Sequence, residues 1–207
     1  MRKIILVIVP AIGLLLLPMA QAQGSIYVSN LGQTPTGSMG VGSDSWIAQL
    51  FFTGTNSSGY VLNSVQLLMN ASSGSPSGFN ISIYSSLNPT NNLGNLSGPD
   101  PSAGGVFTYM ASGLTLSSST DYYVVVTAET TVAQGAYDWS AANNITVGNN
   151  GWFIGGIYDI STDGLNWDYS RKRGFQLAID ATPIPEPATY ALAVLGLAAL
   201  SFWRRKP

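Results

Sequence analysis

The chain has 207 residues, of which 45% are hydrophobic and only 9% are charged, and it contains neither histidine nor cysteine. These absences exclude a cysteine nucleophile, a Ser-His-Asp triad, a histidine general base and a typical zinc site. Residues 23–182 hold three basic and nine acidic residues, a net charge of −6. That balance excludes nucleic acid as a partner, because nucleic-acid binding depends on neutralising phosphates with Lys and Arg.

The first 22 residues predict a secretory signal peptide. Two basic residues open the chain, an apolar run follows, and small residues then form an A-x-A cleavage site. The run of roughly 15 residues is shorter than the 20 or so that a spanning helix needs, which favours cleavage by signal peptidase over a permanent anchor. The residues at the predicted cleavage site are Ala20 and Ala22, with Gln23 as the new N-terminus.

Residues 23–182 predict one all-β domain, an antiparallel β-sandwich with a jelly-roll-like fold. Glycine, proline, asparagine or serine interrupts every window that is long enough for a helix. Short alternating patterns occur instead: Ile81 and Ile83 alternate with polar neighbours at the two-residue period of a half-buried strand. About eight strands separated by turn-rich stretches are predicted, at 46–53, 65–69, 79–84, 106–110, 122–127, 136–140, 152–158 and 175–179.

These segments resemble the choice-of-anchor R domain, a module of exported proteins. The resemblance extends over most of residues 28–180, and its matching stretches are 48–54, 60–67, 79–84, 113–116, 121–125, 138–139, 161–167 and the strand at Phe175. Such modules share varied surface-anchoring tails. The resemblance implies a β-sandwich and a surface location, and it supplies no activity.

Tryptophan side chains offer flat apolar faces on which sugar rings could stack. Aromatic side chains are also the usual core of a small β domain, which is the favoured interpretation for each of them. The strand register decides between the two, because a slip of one residue moves a side chain to the opposite face. The four candidates are Trp46, Trp139, Trp152 and Trp167.

An acidic segment near residue 160 gathers oxygen ligands of the kind that Ca²⁺ prefers. Its spacing does not fit an EF-hand loop. The favoured interpretation is a hairpin with a type I′ turn at Asp163-Gly164 and with Trp167 capping the core. The candidate ligands are Asp159, Asp163, Asn166 and Asp168.

The domain is not predicted to be an enzyme. Glycoside hydrolysis needs two carboxylates about 5–9 Å apart. Glu129 is the single glutamate of residues 23–182, and no spacing singles out an Asp pair. The basic cluster 171–173 is interpreted as a solvated loop. Glycans could be attached at five N-x-[ST] sequons, at Asn56, Asn70, Asn80, Asn95 and Asn144.

Residues 183–207 form a tail of three parts: a proline-rich segment, an apolar run at 188–203 and a basic cluster. A helix over 188–203 would be about 24 Å long, slightly less than a hydrocarbon core of about 30 Å. The positive-inside rule places the cluster in the cytoplasm and the domain across the inner membrane. The first and third parts are defined by Pro185, Glu186, Pro187, Arg204, Arg205 and Lys206.

This tail resembles the PEP-CTERM sorting signal. The resemblance implies a Gram-negative bacterium that makes extracellular polysaccharide. It also implies processing by an exosortase, a membrane-embedded cysteine transpeptidase that removes the helix near the motif. The six residues just named would then be recognition residues. A permanent tail anchor is the alternative.

The sequence therefore predicts an exported protein that is held at the inner membrane only transiently and then reaches the cell surface or the extracellular matrix. Its expected role is structural or adhesive, in a biofilm or exopolysaccharide. The alternative is a carbohydrate-binding module for exopolysaccharide, and a glycoside hydrolase is less favoured. No cofactor is expected unless the acidic segment binds Ca²⁺.

Overall fold

A computed structural model gives the fold and describes residues 24–143, 146–171, 173–186 and 194–197. In this part of the chain the fold is all-β, as predicted, and the strands of each sheet are antiparallel to their neighbours. Helix is limited there to two short 3-10 turns, Pro89–Asn91 and Asn149–Gly151, and to residues 194–197.

Fifteen strands lie in the described residues and form an eight-stranded and a seven-stranded sheet. In chain order they are β1 (Ser25–Ser29), β2 (Gly37–Val41), β3 (Trp46–Phe52), β4 (Tyr60–Gly74), β5 (Asn80–Tyr84), β6 (Asn92–Asn95), β7 (Gly105–Met110), β8 (Thr115–Leu116), β9 (Asp121–Thr127), β10 (Gly135–Ala142), β11 (Thr146–Val147), β12 (Phe153–Ser161), β13 (Asp168–Arg171), β14 (Gly174–Phe175) and β15 (Leu177–Pro183). The seven-stranded sheet contains β3, β5, β6, β9, β11, β12 and β13, and the other strands form the eight-stranded sheet.

The two sheets share one hydrophobic core, which makes the fold a β-sandwich. The two-residue period determines which side chains enter it. In β5, Ile81 and Ile83 are buried while Asn80 on the opposite face is exposed. β4 includes the predicted strand at 65–69, and the three odd-numbered residues of that stretch are fully buried.

The turn-rich stretch predicted between the strands at 65–69 and 79–84 begins later than expected. β4 continues to Gly74, and its last two residues pair with Gly135 and Ala136 of β10. Serine and glycine disfavour a strand only weakly, and a neighbouring strand that supplies the hydrogen bonds overrides that preference. The sequence also does not predict β1, β2, β6, β8, β11 and β13, which are short or rich in glycine and asparagine.

Three fully buried amide side chains, Asn30, Gln49 and Gln176, surround the break between β14 and β15, and we call them the amide triad. Asn30 accepts a hydrogen bond from the Leu177 N–H at 2.6 Å and donates one to the Phe175 carbonyl at 3.0 Å. Gln49 Oε1 accepts from the Phe175 N–H at 2.7 Å. The triad thus supplies the partners that a continuous sheet would otherwise provide for this buried backbone.

Several predictions fall outside the described residues. They concern the signal peptide with Ala20, Ala22 and Gln23, and also Lys172, Asn144, Pro187 and the basic cluster Arg204, Arg205 and Lys206. Among the residues that are described, no helix is long and apolar enough to cross a membrane.

Candidate functional site

The sandwich passes into the C-terminal tail at residues 183–186, which we call the junction. The proline-rich segment of the tail begins within the sandwich, because Pro183 is half-buried and forms the end of β15, paired with Tyr60. Proline is tolerated there because a strand end needs no further ladder bond. The Ile184 N–H donates to the Gly59 carbonyl at 3.0 Å, and the Ile184 carbonyl accepts from Asn56 Nδ2 at 3.0 Å.

Beyond these two bonds the tail becomes accessible. Pro185 and Glu186 are exposed, and Glu186 Oε1 accepts a hydrogen bond from Ser57 Oγ at 2.7 Å. A hydrogen bond between exposed groups contributes little stability, so the carboxylate remains available to a partner. Asn56 and Ser57 were not predicted as partners of the tail. They lie about 130 residues earlier in the chain, and no local pattern reports such a contact.

The acidic segment forms a closed turn around one carboxylate. Asp163 Oδ1 accepts hydrogen bonds from the backbone N–H of Asn166 at 2.9 Å and of Leu165 at 2.8 Å, and from Ser161 Oγ at 2.9 Å. Asn166 Nδ2 donates to Asp163 Oδ2 at 2.8 Å. These bonds, the backbone bond from Asn166 above all, lower the pKa of the Asp163 carboxyl.

Among the four predicted calcium ligands, Asp163 and Asn166 contact each other through the hydrogen bonds just given. Asp159 is buried in β12, and its pKa is raised by that burial, whereas Asp168 is exposed on β13. In the described part of the chain, no group of three or more acidic side chains is arranged to share a metal ion. The predicted type I′ turn was also wrong: residues 162–167 form a longer loop in which Gly164 has a positive φ of 71° but Asp163 does not.

Changing Asp163 to Asn should reduce the pH dependence of stability. The folded pKa lies below the unfolded value of 3.8, so the carboxylate adds stability above about pH 4 that is lost as the pH falls toward the folded pKa. The neutral variant should melt at a lower temperature at pH 7 and lose less between pH 5 and pH 2. Melting curves across that range would measure both effects.

Asp168→Asn is the matched control, because the Asp168 side chain makes no hydrogen bond to the described residues. It should melt like the parent at every pH. Equal slopes for Asp163→Asn and the parent would contradict the role assigned to the carboxylate. Removal of Ca²⁺ with a chelator should leave the melting temperatures of the parent and of Asp163→Asn unchanged.

The four candidate tryptophans divide into two pairs. Trp139 and Trp152 are each 0% exposed, so the sugar-stacking hypothesis does not hold for them: no face of either ring is open to a ligand. Trp139 also donates its indole N–H to the Gln176 carbonyl at 3.0 Å. Trp46 and Trp167 are partly exposed.

Trp46 lies on the outer face of the seven-stranded sheet, and the loop at residues 162–167 packs against it. A Cβ atom on Gly164 would lie 3.0–3.1 Å from three atoms of the indole ring, so only glycine allows this close approach without displacement. The indole N–H donates to the Ser43 carbonyl at 3.1 Å. The hydrogen bonds of Asp163 therefore hold a loop that supports the Trp46 ring.

Residues 183–206, which begin at the junction, match the family model of the PEP-CTERM protein-sorting motif. Comparison with curated proteins gave no match, and comparison with solved structures gave none either. The chain therefore carries an exosortase sorting motif on a β-rich domain, which supports an exported protein that is sorted by an exosortase. The resemblance of the sandwich to the choice-of-anchor R domain stays a prediction.

Proposed function

We propose that this exported protein has a structural or adhesive role in the extracellular polysaccharide of a Gram-negative bacterium, without enzymatic activity. The sorting motif at residues 183–206 is the observation that carries the proposal. Signal peptidase and exosortase are the proposed processing partners. The inner membrane is a transient location, and the cell surface or the matrix is the final one.

The geometry of the junction supports delivery of an intact domain. β15 pairs with β1 and with β4, and it ends at Pro183, two residues before the segment Pro185-Glu186-Pro187. Cleavage near the motif would therefore remove none of the fifteen strands. The scarcity of charge also suits this destination, because a serine-, threonine- and asparagine-rich surface can hydrogen-bond to a hydrated polymer without strong fields.

Substituting alanine for Pro185, Glu186 and Pro187 together should abolish processing. The variant should lose its signal peptide but keep its C-terminal tail and accumulate in the membrane fraction, because the residues recognised by the exosortase are gone while the sandwich is unchanged. Intact-mass measurement and cell fractionation in the native host would detect this. Deletion of residues 185–207, which leaves β15 complete, should likewise prevent normal surface location.

Ser57→Ala is the matched control for the motif variant. It removes the hydrogen bond to Glu186 from the sandwich side and leaves the motif itself unchanged. It should be processed like the parent. If the triple variant reached the surface with its tail removed at the same position as in the parent protein, the sorting proposal would be wrong.

A further inference from the structure

A groove of about 160 Å³ crosses the outer face of the seven-stranded sheet. Trp46 stands on one side of it and Tyr84 on the other, with Val125 in the floor between them. Three of the remaining lining residues are asparagines. This groove is separate from the junction and the sorting motif.

The strand register explains why a groove forms here. Val125 of β9 lies between Ala48 of β3 and Ser82 of β5, so the middle row of this face has small, buried side chains. Trp46 lies two residues to one side of Ala48, and Tyr84 lies two residues to the other side of Ser82. At about 3.3 Å per residue, the two aromatic rows are roughly 13 Å apart.

The polar side chains of the groove have unused hydrogen-bonding capacity. Ser82 Oγ lies 3.1 Å from Asn80 Oδ1 and 2.9 Å from Asn95 Oδ1. A hydroxyl has one hydrogen and can serve only one of these oxygens at a time. Within the described residues, the Nδ2 groups of Asn80 and Asn95 donate no hydrogen bond. Donors and acceptors thus face the groove together, as the hydroxyl groups of a ligand require.

We propose that this groove binds one sugar unit of a neutral polysaccharide chain. Amides and hydroxyls can bond to sugar hydroxyls, and the flat indole and phenol rings can cover the apolar faces of the sugar. No residue in the lining is an acid, a lysine or an arginine, so the groove offers no partner for an ionised sugar. The inference deepens the proposed adhesive role and rests on it for its biological meaning.

Trp46 is held ready for such a ligand. Gly164 lies against the ring, and the Ser43 carbonyl fixes the indole N–H. A ring that is already positioned loses little conformational freedom on binding, and this favours affinity. In this proposal the loop at residues 162–167 positions the Trp46 ring, and this role requires no metal ion.

The test is binding of the full chain, purified in a mild detergent, to the neutral fraction of the host's own extracellular polysaccharide. Dextran and galactomannan serve as further neutral probes, and alginate serves as the anionic one. Trp46→Ala should weaken binding to the neutral fraction at least tenfold, and Trp46→Phe should retain most of it. Melting temperatures recorded alongside would show that each variant is folded.

Asn95→Ala provides a second test that does not disturb the core, because Asn95 is exposed. It should weaken binding several-fold, whereas Asn70→Ala should leave it unchanged. Asn70 is the matched control, since it is also an exposed asparagine in a sequon but lies in the other sheet.

Three results would overturn the inference: no binding to the neutral fraction, binding to alginate alone, or equal binding by the parent, Trp46→Ala and Asn95→Ala. A glycan attached to Asn80 or Asn95 in the native protein would also overturn it, because the groove would then be occupied. Sorting is not needed for this measurement. A protein that does not bind the neutral fraction would contradict the sugar-binding inference but not the proposed export. A protein that binds normally but is not sorted would contradict the proposed export but not the sugar-binding inference.

Discussion

Replacing Gln49 with leucine is expected to lower the free energy of unfolding by about 4 kcal/mol, although the two side chains are similar in size. Gln49 is fully buried, so its amide makes all its hydrogen bonds inside the protein. The loss would be a large part of the 5–15 kcal/mol that holds a typical domain folded.

The cost arises from the partners that are left behind. Gln49 Nε2 donates to the Gly155 carbonyl at 2.8 Å and to the Ile157 carbonyl at 3.0 Å, and Oε1 accepts from the Phe175 N–H. Leucine would remove the side-chain partner of two buried backbone groups, the Gly155 carbonyl and the Phe175 N–H, and of the partly buried Ile157 carbonyl, at about 1–3 kcal/mol for each buried group before relaxation. β12 departs from regular pairing with β3 between Ile154 and Tyr158, so β3 offers no regular ladder bond to Gly155, whereas Ile157 keeps Arg171 of β13 as its neighbour.

Gln66→Leu is the matched control. Gln66 lies half-buried in β4, and its side chain makes no hydrogen bond to the described residues. Its replacement should change stability by about 0.5 kcal/mol or less. Urea unfolding of the full chain in mild detergent, followed by tryptophan fluorescence, would compare the two variants. Similar midpoints would show that the amide triad does not secure the strand break.

The amide triad marks the limit of what the sequence reveals about the fold. Alternation at Ile81 and Ile83 predicts a strand and its inner face, because the period is local. By contrast, Asn30 and Gln176 are about 145 residues apart, and a polar residue in a strand-like segment predicts an outward position by default. Their burial follows from the break between β14 and β15, which only the assembled sheets define.

The sorting motif and the groove also differ in how far the sequence alone predicts them. The sorting motif is contiguous, so the sequence alone predicts it, and the family match confirms it. The groove draws on β3, β5, β6 and β9. Trp46 was a candidate from the start, but four equivalent tryptophans could not be ranked without register. Asn80 and Ser82 were recognised only as the polar half of an alternating strand, and Asn95 only as a sequon.

Trp152→Ala is expected to have the largest effect of any single substitution considered, about 5 kcal/mol of unfolding free energy. The Trp152 ring is fully buried. It stacks on Tyr27 at 5.1 Å, lies parallel to Phe51 at 6.3 Å and meets the edge of Tyr60 at 4.8 Å between ring centroids. Alanine would leave a cavity among three rings that come from both sheets, and the surrounding strands cannot close it.

Two further variants separate packing from hydrogen bonding. In the described part of the chain, the buried indole N–H of Trp152 has no partner, so Trp152→Phe loses no hydrogen bond and should cost only about 1–2 kcal/mol of packing. Trp46→Ala, at a partly exposed position, should cost far less than Trp152→Ala. Equal urea midpoints for Trp152→Ala and Trp46→Ala would contradict the packing argument.

Because Tyr60 both packs on Trp152 and pairs with Pro183, the cavity should also loosen the junction. Limited proteolysis should then cut Trp152→Ala at the junction faster than it cuts Trp152→Phe.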